Sequence, residues 1–172
     1  RLPLVKYFFF PGFDQHTGGL LREADYAARR LAFDAAAFCA EFGLPEKSTN
    51  ALSISLFSYP TAPIEELMQA LARADRPIHV LLPGSSAEPF TQGVLDTHPL
   101  PFLPQVRYDE LLWFCDLNFV RGEDSFVRAQ WAGKPFVWQI YPQADAAHRV
   151  KLDAFLARYA AKIGTPRVLP AG

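Results

Sequence analysis

Short apolar runs alternate with longer amphipathic segments along the chain. Such runs are typical of strands buried in a sheet, and apolar residues at helical spacing are typical of helices that pack on it. The pattern predicts strands at 4–10, 52–57, 77–82, 95–103, 117–120 and 136–140. It predicts helices at 22–42, 64–74, 108–115, 125–132 and 144–159. Strands that alternate with helices at these spacings predict a parallel, doubly wound sheet of the Rossmann-like α/β class.

The chain shows no internal repeat, low-complexity tract or linker, so we expect a single domain over residues 1–172. The stretch 85–91 predicts a loop, and the Pro- and Gly-bearing tail from residue 164 predicts a frayed or separately docked end. Of the residues, 50% are hydrophobic and 14% aromatic, a composition that excludes an intrinsically disordered chain.

The charge balance bears on the class of partner. Lys and Arg number 17 against 18 Asp and Glu, and no basic run occurs, so we expect no nucleic-acid partner. No apolar segment approaches the roughly 20 residues that span a bilayer, and 5–10 is shorter than the usual apolar core of a signal peptide. We therefore expect a cytoplasmic protein without a membrane partner. Cys39 and Cys115 show no framework spacing, and both are expected to be reduced and buried.

A charged turn follows the predicted strand 117–120 and leads directly into a helical pattern. It reads Arg121-Gly122-Glu123-Asp124-Ser125. In open α/β sheets, ligands bind at the carboxyl ends of strands, where the N–H groups at the start of the next helix favour an anion. The turn therefore predicts a phosphate site that Asp124, Ser125 and Arg121 would form. Two alternatives remain open: Asp124 or Ser125 only caps the helix, and Glu123 forms a surface ion pair with Arg121 or Arg128.

A second candidate segment lies between Pro101 and Pro104, where the backbone is stiff. Phe102 offers an aromatic face on which a base can stack, and Gln105 offers an amide that can match a pyrimidine edge. The alternative is that Phe102 belongs to the core and Gln105 is simply solvated. Further candidate residues of this pocket are Leu103, Phe57 and Tyr59.

Other motifs carry weaker signals. Thr17-Gly18-Gly19 precedes a helical pattern and could admit a phosphate, but no Walker lysine or complete G-x-G-x-x-G follows. The four histidines, His16, His79, His98 and His148, form no i, i+4 pair, and we assign none of them a catalytic role. The chain also lacks an Asp-x-Asp triplet, so we expect no metal site and no cofactor.

These motifs together resemble one family. The stretch 121–131, with Pro11-Gly12-Phe13, the segment 17–23 and the segment 100–105, resembles EarP, the protein-arginine rhamnosyltransferases that modify bacterial elongation factor P. The resemblance covers nearly the whole chain but only the second half of a two-lobed GT-B glycosyltransferase. It implies that this chain is the donor-binding lobe, whose partners would be an amino-terminal lobe and elongation factor P.

The resemblance also implies roles for individual residues. The enzyme would be an inverting transferase that moves L-rhamnose from TDP-β-L-rhamnose to an arginine. Asp124 and Ser125 would contact the donor's pyrophosphate and neighbouring sugar, Glu123 would be needed for activity, and Tyr141 would lie near the diphosphate. The segment 102–105 would bind thymine, and the loop 17–19 would face the cleft between the lobes.

Two other functions compete with this one. The chain could be a nucleotide-binding or docking module without chemistry of its own, or a GT-B lobe for another sugar nucleotide, such as a UDP-hexose. The second fits the fold but not the pair of motifs at 100–105 and 121–125. The resemblance locates the catalytic base in the other lobe, so we expect this chain alone to be inactive.

Overall fold

A computed structural model describes residues 4–5, 7, 10–143 and 147–163. Its strands are β1 Leu52–Leu56, β2 Ile78–Pro83, β3 Thr91–Gln92, β4 Leu95–Leu100, β5 Leu117–Arg121 and β6 Phe136–Gln139. Its helices are α1 Tyr26–Leu31, α2 Ala35–Phe42, α3 Ile64–Leu71, α4 Gln105–Phe114, α5 Asp124–Ala132 and α6 Ala147–Ile163. The strands form one sheet in the order β3-β4-β2-β1-β5-β6.

The sheet is doubly wound. All neighbouring strands are parallel except β3 and β4, which are antiparallel. The chain moves outward from β1 to β2 and β4, then returns to β5 beside β1 and continues to β6. The predicted α/β class is therefore confirmed, and the order of the strands reverses between β1 and β5. Such a switch point opens a crevice at the carboxyl ends of the two strands.

The core lies on both faces of this sheet. Ile54 and Val80 are buried against α3 on one face, and the neighbouring Leu81 is buried among residues of α2 and α4 on the other. This arrangement follows from the alternation of side chains along a strand, because consecutive residues must find apolar partners on opposite faces. Cys39 and Cys115 are free and buried, as expected.

The predicted helix 22–42 is two helices. Asp34 stands between α1 and α2, and its carboxylate accepts hydrogen bonds from the backbone N–H groups of Ala36 and Ala37 at 2.9 and 3.1 Å. This capping satisfies the first N–H groups of α2 and is incompatible with an uninterrupted helix, so the prediction is wrong here. The predicted helix start at residue 108 is also wrong, because α4 begins at Gln105, immediately after Pro104.

Two strand predictions also need correction. The described residues of 4–10 belong to no strand, and Leu4 is 95% exposed, because an apolar run becomes a strand only where a neighbour accepts its hydrogen bonds. Residues 6, 8 and 9 lie outside the described residues, as do 144–146 and the tail from 164. The predicted loop 85–91 ends in β3, which Gly93, with φ +60°, turns back onto β4. The predicted strand 95–103 is too long, because β4 ends at Leu100, before Pro101.

A buried charge network joins the first, fourth and fifth helices. Asp109 of α4 is fully buried and accepts hydrogen bonds from Arg128 of α5, including one from Nε at 2.6 Å. It also accepts one from Nη1 of Arg29 of α1 at 3.2 Å. A carboxylate without water keeps its charge only if cations and hydrogen bonds replace its hydration. The position of α4 relative to α1 and α5 is thereby determined.

None of the described helices is both long and apolar enough to cross a membrane.

We expect Asp109→Asn to lower the free energy of unfolding by about 3–5 kcal/mol, because it leaves the buried Arg128 cation without its main counter-charge. Urea unfolding followed by circular dichroism would measure the change. The control is Glu41→Gln, which removes a carboxylate from an exposed pair with Arg107 and should cost less than about 1 kcal/mol. Equal losses in the two variants would contradict this account of the network.

Candidate functional site

A cavity of about 800 Å³ opens at the carboxyl ends of β1 and β5. Its size lies in the range of about 300–1,000 Å³ that is usual for ligand pockets. The cavity brings together most of the residues predicted from the sequence: Phe57, Tyr59, Phe102, Leu103, Gln105, Arg121, Glu123, Asp124 and Ser125. Segments that are distant in the chain meet here because parallel strands present their carboxyl ends at the same edge of the sheet.

The turn between β5 and α5 is held by hydrogen bonds to its backbone groups. Gly122 has φ +68°, and a Cβ at this position would lie 2.9 Å from the Tyr59 hydroxyl. Its N–H donates to the carbonyl of Gln139 at 3.1 Å, and its carbonyl accepts from Nε1 of Trp138 at 2.6 Å. The left-handed conformation therefore favours glycine here, and a Cβ would also displace the Tyr59 hydroxyl.

Neither Asp124 nor Ser125 caps α5, so that alternative is wrong. Glu123 occupies the capping position without a side-chain cap bond, and Asp124 is the first residue of the helix. The Ser125 hydroxyl accepts from the Arg121 N–H at 3.0 Å and donates to the Arg121 carbonyl. The first N–H groups of α5 therefore keep no side-chain partner from these two residues, and by helix geometry they have no intrahelical partner.

The Arg121 guanidinium supplies positive charge to the site and packs against two aromatic rings. The Arg121 guanidinium lies over the rings of Phe57 and Tyr59, at 4.1 and 4.9 Å from their centres, and donates to the carbonyl of Ser58 at 2.9 Å. Glu123 pairs instead with Lys151 of α6, at 3.1 Å between Oε1 and Nζ. The alternative that Glu123 pairs with Arg121 or Arg128 is therefore wrong. Glu123 does form an exposed ion pair of small energetic value, but with Lys151.

The segment between the two prolines presents its aromatic ring to solvent. Phe102 is 85% exposed, so the alternative that it belongs to the core is wrong. Leu103 is buried and belongs to the core cluster that α2 and α4 share. The side chain of Gln105 is not only solvated, because its Nε2 donates to Oε1 of Glu23 at 2.9 Å. A base could therefore stack on Phe102 beside an amide that is held in place.

A smaller cavity of about 250 Å³ adjoins the main one. Tyr141 lines this cavity and not the main one, together with Tyr59, Gly122, Glu123 and Lys151. The rings of Tyr59 and Tyr141 meet edge to face with centres 5.7 Å apart. The two cavities share Tyr59, Gly122 and Glu123, so Glu123 stands between them.

The candidate loop 17–19 lies apart from the main cavity. It closes on itself through hydrogen bonds from Gly18 N–H to the Phe10 carbonyl and from Gly12 N–H to the Gly19 carbonyl, at 3.0 and 3.2 Å. The Thr17 hydroxyl donates to the carbonyl of Asp14 at 2.8 Å. None of the residues 17–19 lines the main cavity, although Pro11 and Leu21 on either side of the loop do.

The histidines also lie away from the main cavity. His79 and His98 contact each other on β2 and β4, with 3.1 Å between Nδ1 and Nε2, and none of the four histidines lines the cavity. Burial lowers the pKa of His98. In the described part of the chain, no group of three or more His, Cys, Asp or Glu side chains could hold a metal ion.

Among the cavity-lining residues that sequence reasoning missed are three polar ones: Glu23, Tyr108 and Arg128. Arg128 lies one helical turn after Asp124, and Tyr108 one turn after Gln105, so helical spacing could have indicated both. Nothing in the sequence links Glu23 to Arg128, which are 105 residues apart but lie 2.6 Å apart in space. Burial raises the pKa of Tyr108, although the nearby Ser125 hydroxyl partly opposes this, and its phenol stays protonated.

Comparisons with known proteins place the chain in a family. Residues 1–169 match the family model described as elongation factor P (EF-P) rhamnosyltransferase EarP. Protein-arginine rhamnosyltransferases of Pseudomonas putida and Pseudomonas aeruginosa are 45% and 44% identical over 91% and 92% of this chain. The alignments cover 47% of each relative, so the chain spans about half the length of the curated relatives it matches.

A solved structure agrees with these matches. It comes from work on the structural basis for EarP-mediated arginine glycosylation of translation elongation factor EF-P. It is 42% identical in sequence, has a TM-score of 0.76, and is matched over 93% of this chain and 56% of its own. By sequence and by fold, the chain therefore belongs to the EarP family of elongation factor P rhamnosyltransferases.

Proposed function

We propose that this chain is the donor-binding lobe of a two-lobed GT-B glycosyltransferase. The enzyme moves L-rhamnose from TDP-β-L-rhamnose to an arginine of elongation factor P, and its amino-terminal lobe completes the site. One observation carries the proposal: a single cavity at the switch point contains an exposed aromatic ring, an oriented amide, a cation and the start of a helix. These are the groups that a nucleoside diphosphate needs.

Each part of the donor has a counterpart in the cavity. The thymine stacks on Phe102 and pairs with Gln105. The diphosphate lies between Arg121 and the first N–H groups of α5, with Asp124 and Ser125 beside it. The sugar extends toward Glu123, which stands at the junction with the smaller cavity that contains Tyr141.

The transfer requires deprotonation of the arginine and stabilisation of the charge on the departing TDP. An arginine guanidinium is protonated and delocalised at neutral pH, so it attacks only after a carboxylate takes a proton from it. Its nitrogen then attacks C1 of rhamnose from the face opposite the diphosphate, the bond from C1 to the phosphate oxygen breaks, and TDP leaves with the electron pair. Arg121 and the start of α5 stabilise the charge of the departing TDP. Glu123 orients the sugar or the incoming guanidinium.

We expect TDP to bind this chain more tightly than UDP or ADP, and Phe102→Ala to weaken TDP by about 1–3 kcal/mol, the value of one lost base stack. Isothermal titration calorimetry would measure both effects. The control is Val106→Ala, which truncates an exposed apolar side chain at the start of α4 that does not line the cavity. Equal affinities for the three nucleotides would rule out the assignment of the base site.

TDP binding should not depend on a divalent cation, because Arg121 and the start of α5 supply the positive charge that the diphosphate needs. Titrations with TDP in excess EDTA and in millimolar MgCl2 should give the same Kd within about twofold. A loss of affinity of tenfold or more in EDTA would show that a metal ion takes part.

In the complete two-lobed enzyme, Glu123→Gln should lower kcat far more than donor affinity, by about 100-fold or more, since its contacts strengthen in the transition state. Asp124→Ala should instead lower the affinity for the donor more than it lowers kcat. Single-turnover rates and donor titrations would separate the two effects. The control Lys151→Ala breaks the ion pair but keeps the Glu123 carboxylate, so it should leave kcat nearly unchanged. A similar loss of kcat in the control would assign the role to the pair, and transfer by this chain alone would locate the base here.

A further inference from the structure

The side-chain amide of Gln105 is oriented by a carboxylate. Its Nε2 donates to Oε1 of Glu23 at 2.9 Å. A carboxylate can only accept hydrogen bonds, so the amide nitrogen, and not its oxygen, must face Glu23. Within the described residues, the amide oxygen of Gln105 has no hydrogen-bond partner, and it remains available to a ligand in the cavity that both residues line.

The Glu23 carboxylate is itself positioned by two arginines. Its Oε2 accepts from Nη1 of Arg128 at 2.6 Å, and Arg128 is fixed by the fully buried Asp109. Arg29 lies 3.8 Å from the same oxygen of Glu23. The hydrogen bond from Arg128 lowers the pKa of Glu23, with a smaller contribution from Arg29, so Glu23 is a carboxylate at neutral pH. A chain of charge-assisted contacts thus runs from the core to the amide in the cavity.

We propose that Glu23 determines base specificity by fixing the Gln105 amide in the orientation that accepts a ring N–H. The inference rests on the proposed nucleotide function. Thymine and uracil carry an N3–H between two carbonyl oxygens, so N3–H can donate to Oε1 of Gln105 and a carbonyl can accept from the second hydrogen of Nε2. Cytosine has an acceptor at N3 and an amino group beside it, which is the opposite pattern.

Cytosine could pair only with the reversed amide. Reversal would turn Oε1 of Gln105 toward the Glu23 carboxylate, where two acceptors would face each other without a proton between them. Without reversal, N3 of cytosine would face Oε1 instead. Either arrangement leaves polar groups unpaired, and the corresponding loss of affinity is about tenfold or more. Arg128 and Asp109 act as positioning residues, because they prevent Glu23 from turning away.

Glu23→Gln tests this inference. The new amide would direct its oxygen to Arg128, a donor only, and its N–H2 to Gln105, whose oxygen would then turn to accept it. The reversed Gln105 suits cytosine. We therefore expect the affinity ratio of TDP to CDP to fall by about tenfold, with weaker TDP binding and stronger CDP binding. A merely structural role for Glu23 would instead weaken both nucleotides equally.

The experiment is calorimetric titration of TDP, UDP and CDP into the 172-residue chain and its variants. UDP should change in parallel with TDP, because both bases carry the same N3–H. The control is Glu41→Gln, the same substitution in another Arg-Glu pair, which lies outside the cavity and should keep the wild-type ratio. In a Gln105→Ala background, Glu23→Gln should no longer change the ratio. Circular dichroism and Tm check that each variant is folded.

The outcomes distinguish the specificity role of Glu23 from the proposed nucleotide-binding function. If the wild-type chain binds TDP but does not prefer it to CDP, or if Glu23→Gln keeps the wild-type ratio, the specificity role is overturned and the proposed function stands. If the wild-type chain binds none of the three nucleotides, both the proposed function and this inference are wrong. A fall of the ratio in Glu41→Gln as large as in Glu23→Gln would also overturn the role of Glu23.

Discussion

The buried carboxylate of Asp109 is the constraint on which the rest of the structure depends. It is fully buried and pairs with Arg128 and Arg29. Those arginines belong to α5 and α1, so one carboxylate determines how three helices pack. Two walls of the cavity are the starts of α4 and α5. The geometry of the candidate site is therefore tied to the core and does not depend on flexible surface contacts.

The energies of the individual contacts indicate which of them shape the cavity. The exposed pair of Glu123 and Lys151 contributes at most about 1 kcal/mol, whereas an unsatisfied buried polar group costs about 1–3 kcal/mol. The turn after β5 therefore depends on hydrogen bonds to its backbone and on the stacking of Arg121, and the pair of Glu123 and Lys151 adds little to it. The carboxylates consequently divide into two kinds: Asp109 and Glu23 are held in the buried arginine network, and Glu123 is an exposed residue that lines both cavities.

Membership of the EarP family and the geometry of the cavity support each other. The family relationship concerns proteins about twice as long as this chain. Under the proposed function, the cavity at the switch point supplies a surface for a nucleotide, positive charge for its phosphates, and an amide whose donors and acceptors are oriented. The proposed function also needs a surface for the arginine acceptor, and the proposal assigns that surface and the base to the other lobe.

The sequence by itself determined the fold class and most of the cavity. Periodicity is local, and parallel strands bring the residues that follow them, such as Phe57 and Arg121, to one edge. Only the tertiary structure decided which apolar run joined the sheet, where Asp34 divided a helix, and that Phe102 points outward. It alone decided the pairing of Glu23 with Arg128. These outcomes depend on hydrogen bonds and packing between segments up to 105 residues apart, and no local pattern encodes such distances.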